Sequence, residues 1–452
     1  MPGPYSRGGR CMSTYNESGM PLPVTLRALQ YRNYRLFFAG QLISLIGTWM
    51  QNVAQAWLVY RLTGSPVLLG AAGFCAQIPV FLLAPVGGVV ADRHNRHRLV
   101  IATQTASMLL ALALAALTLS GAVRVWHIFV LASLLGVVNS FDIPARQSFI
   151  VGLVAKSDLI NAIALNSSMF NASRIVGPAI AGILVAGSGE GWCFFANGAS
   201  YIAVIAGLLM MRVPRHQPAA HPGSPLSRMA EGFHFVMQHP PVHALLMLLG
   251  VVSFTGMPYA VLMPIFADRI LHGGARGLGT LMGATGIGAL AGALMLASRR
   301  DVKGLGRWVA FAAMGFGAGL VAFSFSRIFW LSAAILTLCG FAMMIQMGSS
   351  NTLIQSMTPD RLRGRVMSVY SMMFMGMAPF GALLAGVVAS RLGAPLTTAG
   401  GGAISMLAAS IFWMWWPQIR VHARRLIVAQ QMAGGDPPQE MTGGSLDLEP
   451  EE

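Results

Sequence analysis

The chain has 452 residues, 55% hydrophobic and only 10% charged, with a mean hydropathy of +0.63. A soluble domain carries about 25% charged residues, so that class is excluded. The net charge of +15 would suggest a nucleic-acid partner in a soluble protein. In a membrane protein the placement of charge by loop matters more than its sum, and no nucleic-acid partner is expected.

Residues 1–33 are polar, end in a basic segment (Arg27, Arg32, then Arg35), and contain no cleavable signal pattern. The first apolar run is therefore expected to act as the insertion signal. Windows of about 20 residues, enough to cross ~30 Å of hydrocarbon, predict twelve spans. The first six cover 36–59, 67–90, 99–119, 125–145, 161–186 and 192–211; the second six cover 242–266, 278–297, 308–326, 329–350, 366–390 and 394–416. The domain plan is a segment 1–35, a six-helix bundle 36–211, a linker 212–241, a second bundle 242–416 and a tail 417–452. The proline-rich linker includes a short amphipathic helix near Leu226 to Met237, and the tail is too poor in apolar residues to pack beyond Asp436. Cys11, Cys75, Cys193 and Cys339 have no metal or CxxC spacing and read as apolar thiols.

With a cytoplasmic amino terminus, 23 of the 30 Lys and Arg fall on cytoplasmic segments. Six lie outside (Arg61, Arg124, Arg269, Arg276, Arg327, Arg391), and Arg174 falls within a span. The bias holds loop by loop, so both termini are expected in the cytoplasm. The halves also echo each other. Leu159 to Gly182 shares the layout of Arg361 to Gly386: an acid before the helix (Asp158, Asp360), then Ser167 against Ser368 and Pro178 against Pro379. A fold of two pseudo-symmetric six-helix bundles follows.

The loop between spans two and three reads GGVVADRHNRHR, Gly87 to Arg98. Gly88, Asp92, Arg93, Arg96 and Arg98 resemble the loop signature of the major facilitator superfamily, with Asn95 where Gly is usual and His97 where a basic residue is usual. Asn tolerates left-handed backbone next best after Gly, so the turn is expected to survive. The segments YRNYRLFFAGQLISLIGTWMQNVAQAWLV, FDIPARQSF and TPDRLRGRVMS further resemble the transmembrane secretion effectors, drug and siderophore exporters of the enterobactin-exporter type. This resemblance covers about residues 27–416. It implies that Asp92 meets the positive start of span eleven, around Asp360, Arg361 and Arg365, and latches the halves in an outward-facing state. The arginines can also contact anionic lipid head groups.

Polar residues inside apolar spans are candidate sites, because lipid leaves them unsatisfied. Span one carries Gln41, Ser44, Thr48, Gln51 and Gln55 on one face, with Asn52 alongside; such a stripe either lines a wet cavity or bonds a neighbouring helix. Span four ends in Asn139, Asp142 and Arg146, with Pro144 expected to break the turn. Asp142 is either held by Arg146 or carries protons. Span five supplies Asn171 and Arg174, then Gly177, Pro178 and Gly182 in a GPxxxG element that resembles the antiporter signature; with Pro379 these are expected to let helices bend. Arg174 either binds an anionic group or acts as a hydrogen-bonded strut. Weaker cavity candidates are Gln346, Ser350, Asn351 and Gln355 on span ten and Ser253, Thr255 and Tyr259 on span seven, and the methionines around Met372 to Met377 read mainly as filler.

Walker A, HExxH and GxSxG patterns do not occur. The expectation is a monomeric, non-enzymatic secondary transporter of the inner membrane, without metal or cofactor. It would export a drug-like compound or siderophore by alternating access and proton antiport. Lipid transport on the same fold, or a non-transporting sensor, are the alternatives.

Overall fold

The computed structural model describes residues 24–212, 225–299 and 302–433. Among them every regular element is helical. The first half comprises α1 (Arg32–Thr63), α2 (Pro66–Arg93), α3 (Arg96–Leu119), α4 (Val125–Val151), α5 (Leu159–Ser188) and α6 (Glu190–Leu209). A short helix, α7 (Pro225–Gln238), precedes α8 (Pro240–Ile270), α9 (Gly274–Ala297), α10 (Leu305–Phe325), α11 (Phe329–Met357), α12 (360–392) and α13 (394–433). Cys11 and the tail from Asp436 lie outside the described residues.

Among the described residues, ten helical stretches are long and apolar enough to cross a membrane. The last of these is two spans divided at Gly393, where φ is 81°. The helix α1 does not qualify, because its polar stripe lowers the hydropathy of an otherwise spanning 32-residue helix. Counting these gives twelve spans. An even number returns the chain to the side it started from, so α1 begins and α13 ends at one end of the molecule, here the termini end. The opposite end is the far end.

The repeat shows in the turns and in the packing. At the far end α5 passes into α6 through Gly189 (φ 89°, ψ 170°), and α12 passes into α13 through Gly393 (φ 81°, ψ 158°). Only glycine adopts such angles without strain, so one residue reverses the chain in each half. Gly177 of α5 lies against the Ile46 carbonyl and Trp49 of α1, and Gly381 of α12 lies in the same way against the Phe254 carbonyl of α8. Proline leaves its i−4 carbonyl without a helix partner. Pro258 and Pro379 each follow a π-helical turn, Val252–Gly256 and Met372–Gly376, that takes up the irregularity. Pro144 and Pro178, by contrast, sit within α4 and α5 without ending them. The expected break at Pro144 is not there.

Helices outrun the hydrocarbon. α1 starts at Arg32 and ends at Thr63, and α13 continues to residue 433, well past the predicted end at 416. Ile419 and Leu426 of this extension still pack on the apolar core, which explains why the helix does not stop at the membrane surface. Cys193 and Cys339 are buried thiols, and Cys75 is half-buried.

Candidate functional site

A cavity of about 270 Å³ lies between the halves. From the first half it is lined by Trp49 of α1, Gly73 and Gln77 of α2, and Arg174 and Pro178 of α5. From the second half come Met257 and Tyr259 of α8, Met282 and Thr285 of α9, and Ala378 and Ala382 of α12. Three helices of one repeat thus face their three counterparts in the other.

The far side of this cavity is sealed by backbone-to-backbone packing. Gly182 of α5 meets Gly279 of α9, and Gly70 of α2 meets Gly386 of α12. A Cβ on Gly279 would stand 2.4 Å from the Pro178 carbonyl oxygen, and one on Gly70 would stand 2.5 Å from that of Ala382. Only residues without a side chain allow the helices this close. Beyond these contacts the Tyr60 hydroxyl donates to Asp268 Oδ2 at 2.7 Å, joining α1 to the end of α8, and the Arg269 guanidinium lies 5.6 Å from the Tyr60 ring. Arg61 donates twice to Glu190, at 2.7 and 3.1 Å, and ties α1 to the start of α6.

The termini end is parted. Asp92 pairs with Arg96 of its own loop at 3.6 Å, and Asp360 pairs with Arg363 at 2.6 Å, with 87% of the Asp360 side chain exposed. Among the described residues no hydrogen bond or ion pair joins Asp92 to the start of α12. Leu82 and Val86, on the termini half of α2, are exposed. The expected latch pair is present in the chain and separated in this conformation.

Within the loop, Asn95 corrects the sequence reading. Its φ of −65° and ψ of 107° are extended rather than left-handed, and its side chain accepts from the Arg98 amide as the N-cap of α3. A cap is a chemical role that glycine performs without a side chain. His97 bonds the Leu208 carbonyl of α6 at 2.8 Å and stacks on Phe149, so it fastens α3 to its neighbours. Arg96 reaches the Ser148 carbonyl of α4, whereas Arg93 and Arg98 are exposed. The tight helix contact falls on Gly87, against the Ser140 carbonyl of α4, and not on Gly88, which meets nothing within 4 Å.

The intramembrane candidates divide between the cavity and the bundle interiors. Arg174 faces the cavity, half-buried, 5.8 Å from the centre of the Trp49 ring. Asp142 is 4% exposed and fully committed: Oδ1 accepts from Thr103 at 2.8 Å and Gln104 at 2.9 Å, and Oδ2 faces Arg146 Nε at 3.3 Å. Gln51 is buried and accepts from Asn197 of α6 at 2.7 Å, so this part of the α1 stripe bonds a helix rather than the cavity. Asn52 is exposed, Gln55 is half-buried, and Asn171 bonds the Ser167 carbonyl of its own helix. Asn351 accepts from Gln355 one turn on, and Gln346 is 1% exposed with neither side-chain atom bonded.

Sequence reasoning missed Gln77, Thr285, the Tyr60–Asp268 contact and Glu231. Gln77 was a lone polar residue near Pro79 in an apolar run, a signal that was available. Glu231 of α7 pairs with Arg365 of α12, and Gly232 packs on the Arg365 carbonyl, so the linker helix holds the termini end of α12.

The profile of the transmembrane secretion effector family matches residues 24–436. The staphyloferrin A transporter of Staphylococcus aureus is 28% identical over 362 residues, covering 79% of this chain and 90% of that protein. An enterobactin exporter of Shigella boydii is 23% identical over 376 residues, covering 83% and 89%. In fold, the chain is similar to an inward-facing bacterial homologue of the iron transporter ferroportin, with a TM-score of 0.65 at 16% identity, covering 85% and 98%. It is also similar to an inward-facing, occupied bacterial homologue of the lysosomal transporter Spinster, with a TM-score of 0.64 at 15% identity, covering 88% and 98%. The two-bundle architecture, the cavity between its halves and this family match together make the chain a member of the transmembrane secretion effector family of major facilitator transporters.

Proposed function

We propose that this protein exports a small molecule, of siderophore or drug-like kind, from the cytoplasm across the inner membrane by proton antiport. The carrying observation is the cavity shared by both repeats, sealed at the far end and parted at the termini end. The strong Lys and Arg bias supports a cytoplasmic termini end, and on that reading the conformation described is the cargo-loading one. Relatives named for siderophore transport support the cargo class.

Alternating access then follows from two mutually exclusive closures. When the far-end glycine contacts separate, rocking of the halves brings Asp92 to the amino-terminal end of α12, whose helix dipole favours a carboxylate there. The linker helix α7 moves with α12 through the Glu231–Arg365 pair. Asp142 is assigned to structure, because its carboxylate accepts from Thr103 and Gln104 and faces Arg146 inside the first bundle, away from the cavity wall.

The test is flux in proteoliposomes with an imposed pH gradient, using candidate siderophores and dyes. Cargo movement that follows the gradient and collapses with an uncoupler is expected. Asp142→Asn is expected to lower thermal stability by about 3 kcal/mol, as breaking a buried pair does, while leaving the pH dependence of flux unchanged. A flattened pH profile in that variant would reassign Asp142 to proton coupling.

A further inference from the structure

Among the described residues, Arg174 holds the one positive charge on the wall of the central cavity. The described acids are committed elsewhere. Asp142 faces Arg146, Glu190 holds Arg61, and Asp268 accepts from Tyr60. Asp158 accepts from Tyr31 and Gln30, and Glu231 pairs with Arg365, while Asp92 and Asp360 stand at the parted end. No described carboxylate lies within ion-pair distance of the Arg174 guanidinium. Its neighbour is the face of Trp49, itself set by an edge-on contact with Phe170 at 5.6 Å.

A ring face attracts a cation weakly, which fixes the guanidinium in place but does not neutralise it. Removing an unpaired cation from water is strongly unfavourable. With the termini end parted, water supplies the hydration. Closure of that end expels the water, and the charge then needs an anionic partner, whereas the polar side chains that share the cavity wall, Gln77, Tyr259 and Thr285, are an amide and two hydroxyls. The backbone around Arg174 leaves it no retreat, since Gly286 of α9 packs directly on its carbonyl.

We propose that Arg174, seated on Trp49, is the recognition point for a carboxylate on the transported molecule. This rests on the exporter reading only in calling the ligand cargo. The planar guanidinium offers a carboxylate two parallel hydrogen bonds. Gln77 and Thr285 supply further hydrogen-bonding groups on the wall, and Met257 and Met282 give an adaptable apolar surface for the rest of the ligand. Selectivity for anions is thereby tied to the conformational step: a neutral ligand leaves a dehydrated, unpaired cation behind, and a carboxylate removes that penalty at closure.

The experiment measures binding to purified full-length protein in detergent, by calorimetry and thermal shift. It uses three acid and amide pairs of matched shape: salicylate with salicylamide, benzoate with benzamide, phthalate with phthalamide. At least one acid is expected to bind ten times more tightly than its amide in the wild type. That preference should fall to within twofold in Arg174→Gln and survive in part in Arg174→Lys, which keeps the charge without the planar fork. Equal binding of acid and amide in every pair, retention of the acid preference in Arg174→Gln, or no binding of any acid overturns the proposal. Flux measured in parallel separates the two readings. Acid preference without gradient-driven flux keeps the carboxylate site and sinks export, whereas flux without acid preference does the reverse.

Discussion

The two ends of the molecule close by different physics. The far end uses Gly182 on Gly279 and Gly70 on Gly386, van der Waals contacts that weaken by about a quarter to a half over a gap of ~0.5–1 Å. The termini end carries Asp92, Arg96, Asp360 and Arg363, each paired within its own half and free to exchange partners. Short-range packing is all-or-none, and charge pairs re-form over a longer distance. A seal of the first kind with a gate of the second gives a molecule that snaps shut at one end while the other re-pairs, and packed interfaces of this sort are bistable rather than continuously deformable.

The comparison breaks first at the glycine seal. Gly279→Leu forces side-chain atoms into the Pro178 carbonyl, so flux is expected to fall at least tenfold, on the order of 1.4 kcal/mol or more. Membrane insertion and a single size-exclusion peak should be retained. Wild-type flux in this variant would mean that the far end never needs to close. Next comes Asp92→Asn, expected to slow transport about tenfold by weakening the carboxylate contact to α12, with cargo affinity in detergent unchanged. Full activity there would remove the latch from the account.

Tyr60→Phe should have a smaller effect. It deletes one hydrogen bond to Asp268 across the halves, about 0.5–1.5 kcal/mol, and so biases the molecule several-fold toward opening at the far end. Alkylation of a cysteine placed beside Gly64 would report this as faster labelling; slower labelling would contradict it. Smallest of all in transport is Gln51→Ala, which breaks the bond from Asn197 inside the first bundle. A stability loss of about 1 kcal/mol is expected, with flux within twofold of wild type. A large flux defect at equal stability would return Gln51 to the cavity.

The spans were legible because hydrocarbon thickness sets their length, and the repeat was legible because Pro178 and Pro379 hold equivalent places in it. The α1 stripe shows where legibility ends. Periodicity placed Gln51 on a polar face, but which neighbour that face meets depends on how α6 lies against α1, and that is a matter of packing. Asn95 failed for a related reason: its residue type suits both a left-handed turn and an N-cap, and only the backbone angles separate them. The Tyr60–Asp268 contact joins residues 208 positions apart, in ordinary sequence surroundings at two loop edges, so no local pattern announces it. Arg174 was visible by contrast because a lone arginine deep in an apolar span is costly anywhere, whatever packs around it.

Alternating access itself is tested most directly by pulsed spin-label distances across both ends of the full-length protein in nanodiscs. One pair of labels at His94 and Gly364 would span the termini end, and a second pair at Ser120 and Arg327 the far end. Cargo together with an imposed pH gradient should shorten the first distance and lengthen the second, by several ångströms each and in the same fraction of molecules. Distances that stay fixed, or that change at one end without the other, would contradict the account.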